Sequence, residues 1–335
     1  MSGVLFTCAG QRVDIVSAFR RAGAHTVAVD VNRLAPALYH AHAHELVPRV
    51  TDPEYVAALR SVVERHGLTL IVPLTDLDHG VLTRARDRLG GALVLLPEPA
   101  LVDALEDKWL AHQLFEERGI GSPATWLPDS LPDELPYPVL VKARHGFGSR
   151  GIYRCAGPRE LEFFLGYTEH DSMVQACCAG EEFSIDVFCD LGSRCLNAVP
   201  RTMIESKGGE SIKGMTIRDP ALIEVGRHVS ETLGLVGPAN IQCFREPDGR
   251  HLVTDINPRF GGAFPLPTAA GSRYPELALA LAAGERPEPR LGAYRDGLVM
   301  TRFFSEMVLA PDENGNLAPF AEELPEPVVP EHAES

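Results

Sequence analysis

The run Asp255-Ile256-Asn257-Pro258-Arg259-Phe260-Gly261-Gly262 closes a strand-like stretch and sets two oxygen-bearing side chains two residues apart. On a strand that spacing puts both on one face. Gln242 lies on the preceding strand-like stretch, across the turn Pro247-Asp248-Gly249, and can face them over a hairpin. Three oxygen donors on one sheet face suit Mg²⁺, which takes oxygen ligands and shares its shell with water and substrate phosphates. Arg259 follows directly, where a guanidinium can bind a transferring phosphoryl group. The plainer alternative is a polar strand end followed by a turn.

Gly146-Phe147-Gly148-Ser149-Arg150-Gly151 matches G-x-G-x-x-G. A dinucleotide fold needs a helix to start at that loop, so that its N-terminus meets the pyrophosphate. Here Gly151-Ile152-Tyr153-Arg154 reads as a strand. Strand, glycine loop and strand make a flap whose backbone amides can close over phosphates, and Lys142 on the incoming strand can reach the same phosphates. No Walker A motif is present. A glycine-rich surface hairpin is the competing reading.

Gln175 to Asp186 carries a strand end, the linker Ala176-Cys177-Cys178-Ala179-Gly180 and the acids Glu181 and Glu182. Such a hinge can offer backbone groups near Cys177 and Cys178 to an adenine ring, and Glu182 can accept from ribose hydroxyls. An acidic hairpin turn is the alternative. Residues 201–216, with Lys207-Gly208-Gly209 and Lys213-Gly214, read as a loop whose small residues suit a lid. A lysine from it, Lys207 or Lys213, can reach a γ-phosphate while water is excluded. Arg302 is a candidate anchor for a substrate carboxylate or a solvated edge arginine. Thr75-Asp76-Leu77-Asp78 follows a strand end and lines the pocket or caps a helix. His40, His42 and His44 alternate with alanine and can share one face of a strand, which suggests metal binding, but no further ligand accompanies them and a solvated polar stretch is the plainer reading. Cys177 and Cys178 read as packing residues rather than nucleophiles.

The elements that must position these groups change character along the chain. Strand-like runs at 4–6, 26–30, 70–73 and 92–96 alternate with helical patterns at 13–21, 55–66 and 79–89, which implies parallel strands with crossover helices. Ligands on such sheets sit at the carboxyl ends of the strands. Prolines at 123, 128, 132, 136 and 138 mark an irregular connection. Beyond it come strands at 139–142, 151–154, 172–175, 183–189, 239–245 and 251–257, with helices at 158–167 and 222–233. Hairpin-joined strands with helices to one side indicate α+β lobes.

The chain has 335 residues, 45% of them hydrophobic and 23% charged, enough to bury cores in two or three lobes. Its longest apolar runs are far too short to span a bilayer. The start runs into Val4-Leu5-Phe6 without a basic segment, and the seven cysteines include no C-x-x-C. Reduced thiols and a cytoplasmic location are therefore expected. A net charge of −15 argues against general nucleic-acid binding. Residues 311–335 hold seven of the acids and no Lys or Arg, and read as a mobile acidic tail.

In order and spacing, Asp107-Lys108, Val141-Lys142 with the glycine loop, Gln175 to Glu182, Gly237-Pro238-Ala239-Asn240-Ile241-Gln242 and 255–262 resemble the ATP-grasp superfamily. The likeness is to the carbamoyl-phosphate synthase large-subunit type and the related amino-acid ligases, and runs from about residue 3 to about residue 305. It implies a parallel α/β front domain (1–105), then a two-lobed α+β ATP-grasp domain. The central lobe with the flap spans 106–175, the C-terminal lobe with the metal site 176–310. It further implies that Lys108 and Lys142 hold ATP phosphates, that Gln175 meets the adenine amino group and Glu182 the ribose. Gln242, Asp255 and Asn257 would coordinate Mg²⁺, or Mn²⁺, and Arg259 would stabilise an acyl phosphate. Two departures stand out: Asp255 and Gln242 occupy positions where many relatives carry Glu and an acid, which leaves one carboxylate among three ligands.

The expected activity is an ATP-dependent carboxylate–amine ligase working through an acyl phosphate on amino-acid-like substrates, in a soluble chain, with a homodimer as the base-rate assembly. A kinase-like phosphotransferase on the same scaffold, an NAD(P)-binding oxidoreductase and a non-catalytic nucleotide sensor are the alternatives.

Overall fold

Gly3–Thr7 (β1) is buried along its whole length, which is why Val4-Leu5-Phe6 shows no polar alternation. The computed structural model describes residues 2–146, 151–207 and 210–320, the side chains of Ser206, Lys207 and Glu210 excepted. Val13–Arg21 (α1), His25–Asp30 (β2), Ala43–Leu46 (β3), Tyr55–His66 (α2), Leu70–Pro73 (β4), His79–Arg84 (α3) and Leu93–Val94 (β5) follow. The five strands form a parallel sheet in the order β3-β2-β1-β4-β5. Val4 and Phe6 pack with Ile15, Val16 and Phe19 of α1, whereas Leu5 faces Tyr55, Leu59 and Val62 of α2. Alternate residues of one strand thus serve two helical layers.

Pro99–Glu106 (α4) and Lys108–Glu117 (α5) lead into a smaller lobe. Thr125–Trp126 (β6), Val139–Ala143 (β7), Ile152–Cys155 (β8) and Ser172–Ala176 (β9) make an antiparallel sheet ordered β6-β9-β7-β8, with Pro158–Tyr167 (α6) inserted before β9. Its core is Val139, Val141, Cys155, Leu161 and Val174.

The third lobe is a six-stranded antiparallel sheet ordered β14-β13-β10-β11-β12-β15. The strands are Glu181–Cys189 (β10), Cys195–Lys207 (β11), Glu210–Thr216 (β12), Gly237–Arg245 (β13), His251–Asn257 (β14) and Val299–Thr301 (β15). Pro220–Leu233 (α7) covers one face; Pro265–Ala269 (α8) and Tyr274–Ala282 (α9) follow β14. Ile185, Val187 and Ile241 lie beneath Leu222 and Val229 of α7. Gly226 permits that close approach, since a Cβ there would stand 2.7 Å from Ile185 Cγ2.

The parallel α/β front followed by a two-lobed α+β body is thus the architecture the chain adopts. Two local expectations are corrected, and the histidine stretch is placed. Residues 201–207 and 210–216 are not loop: they belong to β11 and β12, whose backbone groups pair across the sheet. The helix expected over 79–89 stops at Arg84 and gives way to a 3₁₀ turn at Arg86–Arg88. The histidine stretch is in part a strand, β3, and His42 Nδ1 lies 2.9 Å from the Thr26 hydroxyl.

Residues 1–303 form one compact unit and 304–335 another. In the second, Leu309–Pro311 (β16) pairs antiparallel with Leu317–Pro319 (β17), so the acidic tail expected at 311–335 opens inside a hairpin. Residues 321–335 lie outside the described set. Among the described residues no helix is long and apolar enough to cross a membrane.

Candidate active site

The face of the large sheet opposite α7 carries Gln242, Asp255 and Asn257, and its register brings these proposed metal residues together. Gln242 of β13 stands opposite Asp255 of β14, and Asn240 opposite Asn257. Facing residues of antiparallel strands share a side. Asn257 Nδ2 donates to Asp255 Oδ2 at 3.1 Å, which fixes the two side chains against each other. A register shift between Gln242 and Cys243 makes this possible. Cys243 pairs with Val253 while Gln242 pairs with Asp255, so Thr254 is the extra residue of a bulge. Without it, Val253 and Asp255 would share a face; with it, Val253 enters the core and Asp255 turns to the site.

Arg259 lies just beyond. Its Nε donates to both carboxylate oxygens of Asp76 at 2.9 Å, and its Nη2 donates to Asn257 Oδ1 at 3.0 Å. The front domain therefore reaches the site through Asp76, in the turn between β4 and α3. Arg12, from the loop after β1, donates to the carbonyls of Phe260 (3.2 Å) and Gly261 (2.9 Å) and anchors the same turn. Arg302 Nη2 donates to the Gly262 carbonyl, and its backbone N–H bonds Ile212 O at 2.9 Å.

Lys142 comes from β7 in the smaller lobe and is only 8% exposed. Its Nζ donates to Gln175 Oε1 at 2.7 Å, and Gln175 Nε2 donates to Thr125 Oγ1 at 3.0 Å. Gln175, expected at an adenine amino group, here holds Lys142. Burial pulls the Lys142 pKa below the usual lysine range, and the Asp255 carboxylate is the strongest influence opposing that fall. Glu182 and Cys178 act on Lys142 in the same sense as Asp255. Lys142 of the smaller lobe is thus within electrostatic reach of Asp255 on the large sheet. Burial raises the Glu182 pKa, with Lys142 and then Arg201 pulling it back.

Asp107 caps α5, accepting from Trp109 N at 2.9 Å, and also accepts from Arg144 Nε at 3.1 Å. Lys108 opens the helix, and its Nζ donates to the Gly146 carbonyl at 2.8 Å, so it sits at the stem of the glycine loop. Gly146 (φ 129°) and Gly151 (φ 70°) flank that loop in conformations open to glycine. Gly148 and Ser149 lie outside the described residues, as does the Lys207 side chain. Lys213 pairs with Glu205 at 2.6 Å.

At the hinge, Ala179 N and Gly180 N donate to Glu246 Oε1 at 3.1 and 3.4 Å, and Cys177 N bonds Pro138 O at 3.3 Å. Burial, and then Glu246, push the Cys178 thiol up to about 12, which leaves it protonated.

The sequence reading missed a buried network behind the patch. Asp186 Oδ2 accepts from Arg201 Nε and Oδ1 from Asn240 Nδ2, both at 2.9 Å. Arg201 is 2% exposed and Asp186 3%. The signal was present in β10, where Glu182, Ser184 and Asp186 alternate with Phe183, Ile185 and Val187.

Two family models match the chain: the PylC-like N-terminal domain over residues 4–94, and the ATP-grasp of the biosynthetic pathway with Ter operon over residues 168–303. The chain thus carries a PylC-like N-terminal domain ahead of an ATP-grasp domain. A carbamoyl phosphate synthase large chain from Agathobacter rectalis is 28% identical over 226 residues, which are 61% of this chain and 21% of that protein. The chain thus spans about a fifth of the length of such relatives. Among solved structures, N5-carboxyaminoimidazole ribonucleotide synthetase from Thermotoga maritima is 19% identical, with TM-score 0.65, covering 86% of this chain and 78% of that one. L-amino acid ligase from Bacillus licheniformis is 17% identical, with TM-score 0.69, covering 86% and 75%. A biotin carboxylase from Campylobacter jejuni, in a nucleotide complex, is 14% identical, with TM-score 0.70, covering 94% and 77%. At these identities the likenesses establish the ATP-grasp fold.

ATP-grasp proteins use ATP with a divalent metal, and the donor set here fits one. Gln242, Asp255 and Asn257 offer only oxygen, the preference of Mg²⁺, and Mn²⁺ suits the same donors. No group of three or more His, Cys, Asp or Glu side chains placed to hold a metal occurs among the described residues. With one carboxylate, such a patch would supply only part of an ion's shell, the remainder falling to phosphate and water.

Proposed function

We propose that this chain is an ATP-dependent carboxylate–amine ligase acting on small, amino-acid-like substrates. The observation that carries this reading is the hydrogen-bonded chain from Asp76 through Arg259 and Asn257 to Asp255, which stands opposite Gln242 and within electrostatic reach of Lys142. In the proposed reaction a carboxylate oxygen attacks the γ-phosphorus of ATP and ADP leaves. An amine nitrogen then attacks the acyl carbon, phosphate leaves and a proton is lost.

Lys108 and Lys142 hold phosphate oxygens, which requires Lys142 to exchange Gln175 for the nucleotide. The backbone around Cys177 and Cys178 and the Gln175 amide meet the adenine, and Glu182 meets the ribose. Gly146, Gly148, Ser149 and Gly151 close as a flap, Lys207 approaches from the hairpin tip, and Arg302 anchors a carboxylate. Arg259 stabilises charge on the transferred group. Gln242, Asp255 and Asn257 hold the divalent ion, which when bound offsets phosphate charge and aligns the γ-phosphoryl group. The lobe limits 1–105, 106–175 and 176–310 belong to the same proposal.

The test incubates the chain with MgATP, a panel of carboxylates and hydroxylamine. A hydroxamate, absent from Asn257→Ala, is the expected result. ADP release with a phosphorylated product and no hydroxamate would instead assign a phosphotransferase.

A further inference from the structure

Cys189 ends β10 and Cys195 opens β11, and the register sets them directly opposite one another at the 190–194 turn. Both are free thiols, buried in the cluster that Val187 and Ala198 form beneath Val229 of α7. The next rung outward is Asp190 N to Arg194 O at 3.0 Å, and the Cys195 N–H turns away to Glu231 Oε1 at 3.1 Å. The two cysteines are therefore a non-hydrogen-bonded pair, the closer kind, with Cα atoms about 4.5 Å apart. That separation lies within the range of about 4.4 to 6.8 Å that a disulfide spans without moving the backbone.

The two thiols are not equivalent. They hydrogen-bond each other, and the Ser230 hydroxyl of α7 bonds to both. The bond from Cys189 holds the Cys195 thiol below the ordinary cysteine range, while that same contact and burial push Cys189 well above it. A thiol that sheds its proton readily, beside one that keeps it, is the arrangement of an attacking and a resolving cysteine. One hydrogen-bonded rung separates the pair from a turn whose Leu191 is 51% exposed, so local opening of that turn admits a small oxidant.

We infer that Cys189 and Cys195 are a redox modification site, which a hydroperoxide converts to a cross-strand disulfide. With hydrogen peroxide, the Cys195 sulfur attacks one oxygen and the O–O bond breaks. The departing hydroxide takes the thiol proton and leaves as water, and Cys195 carries S–OH. The Cys189 sulfur then attacks the Cys195 sulfur, the S–O bond breaks, and the second hydroxide leaves as water with the Cys189 proton. The two thiols lose two electrons and the peroxide gains them.

The full chain is treated with hydrogen peroxide, its remaining thiols are alkylated, and it is unfolded and digested with trypsin. Trypsin cuts after Arg194, between the two cysteines, so the bridge joins residues 160–194 to residues 195–201. The joined peptide should be two hydrogens lighter than the sum of its parts and should separate on treatment with dithiothreitol. Residues 160–194 also hold Cys177 and Cys178. The double variant Cys177→Ser, Cys178→Ser should keep the joined peptide, and Cys189→Ala should lose it. Should Cys189→Ala not fold, the double variant assigns the bridge by itself, because Cys189 is then the one thiol left in that peptide. The bridged chain should also melt at a higher temperature than the reduced one, since the closed loop restrains the unfolded state. No joined peptide, a joined peptide lost from the double variant, Cys195 oxidised to an acid without a bridge, or a lower melting temperature in the bridged chain would overturn the site.

Discussion

Asp78 and His79 are adjacent, fully buried and displaced in opposite directions, which makes the pH dependence of stability a sharp test of the front domain. Burial raises the Asp78 pKa from 3.8 to about 6. Burial lowers the His79 pKa from 6.5 to about 4, with Asp76 opposing and Arg259 adding to the fall. The folded state therefore holds a proton on Asp78 where the unfolded chain has released it. That contribution is full below pH 3.8 and is lost as pH rises through about 6. His79 works the other way: no penalty exists above 6.5, and stability is lost as pH falls from there to about 4. Between about pH 7 and about pH 4.5, Asp78 adds about 2 kcal/mol and His79 removes about 2 to 3 kcal/mol, so the wild type sees near cancellation from the pair. Asp78→Asn removes only the offset. Urea unfolding of both chains at the two pH values isolates it, because every other titrating group cancels in the variant-minus-wild-type difference. That difference should become about 2 kcal/mol more unfavourable to the variant at the lower pH. A change below about 0.5 kcal/mol, or one of opposite sign, would refute the assignment of a buried, proton-binding Asp78.

Three further outcomes are expected. Asp186→Ala strands the buried Arg201 guanidinium and should cost about 3 to 5 kcal/mol of stability in urea titration; replacing Arg201 by Leu as well should recover part of it. Gly226→Ala places a methyl 2.7 Å from Ile185 Cγ2 and 3.2 Å from Ala198 Cβ. It should lower the melting temperature by the equivalent of about 1 to 3 kcal/mol, despite alanine's better helix propensity. Gln242→Glu adds a second carboxylate to the proposed metal patch and should tighten Mg²⁺ by up to about 2 kcal/mol, roughly 30-fold, in the Mg²⁺ dependence of ADP release.

Much of the architecture was legible because burial leaves a periodic signature. Residues 55–66, 158–167 and 251–257 were bounded as they fold, since α2 and α6 carry helical apolar spacing and β14 ends in a turn. What escaped depends on partners far along the chain. Arg201 opens the stretch expected as a loop, yet it is buried in β11, where Asp186 on the neighbouring strand neutralises it. The pairing of Arg259 with Asp76 joins residues 183 apart, and no local pattern announces it. Strand β3 looked like a polar stretch because it is an edge strand, alternately half-buried and exposed. The bulge at Thr254 was implicit in Leu252-Val253 followed by Ile256, a pattern out of step with period 2.

On the proposed roles, the charges of the site also bear on the order in which its ligands can arrive. Lys108, Lys142 and Arg259 are matched in number by Glu182, Asp255 and Asp76, so these three cations bring no net excess of charge. Each of the three already donates to a protein acceptor: Lys108 to a loop carbonyl, Lys142 to Gln175, Arg259 to Asp76 and Asn257. A bare triphosphate would bring several negative charges to that balanced set and would have to displace those acceptors. A divalent ion removes much of the load, but the patch offers it a single carboxylate, Asp255. Neither ligand is therefore well held without the other, and nucleotide and metal should bind as one linked unit, each raising the affinity for its companion.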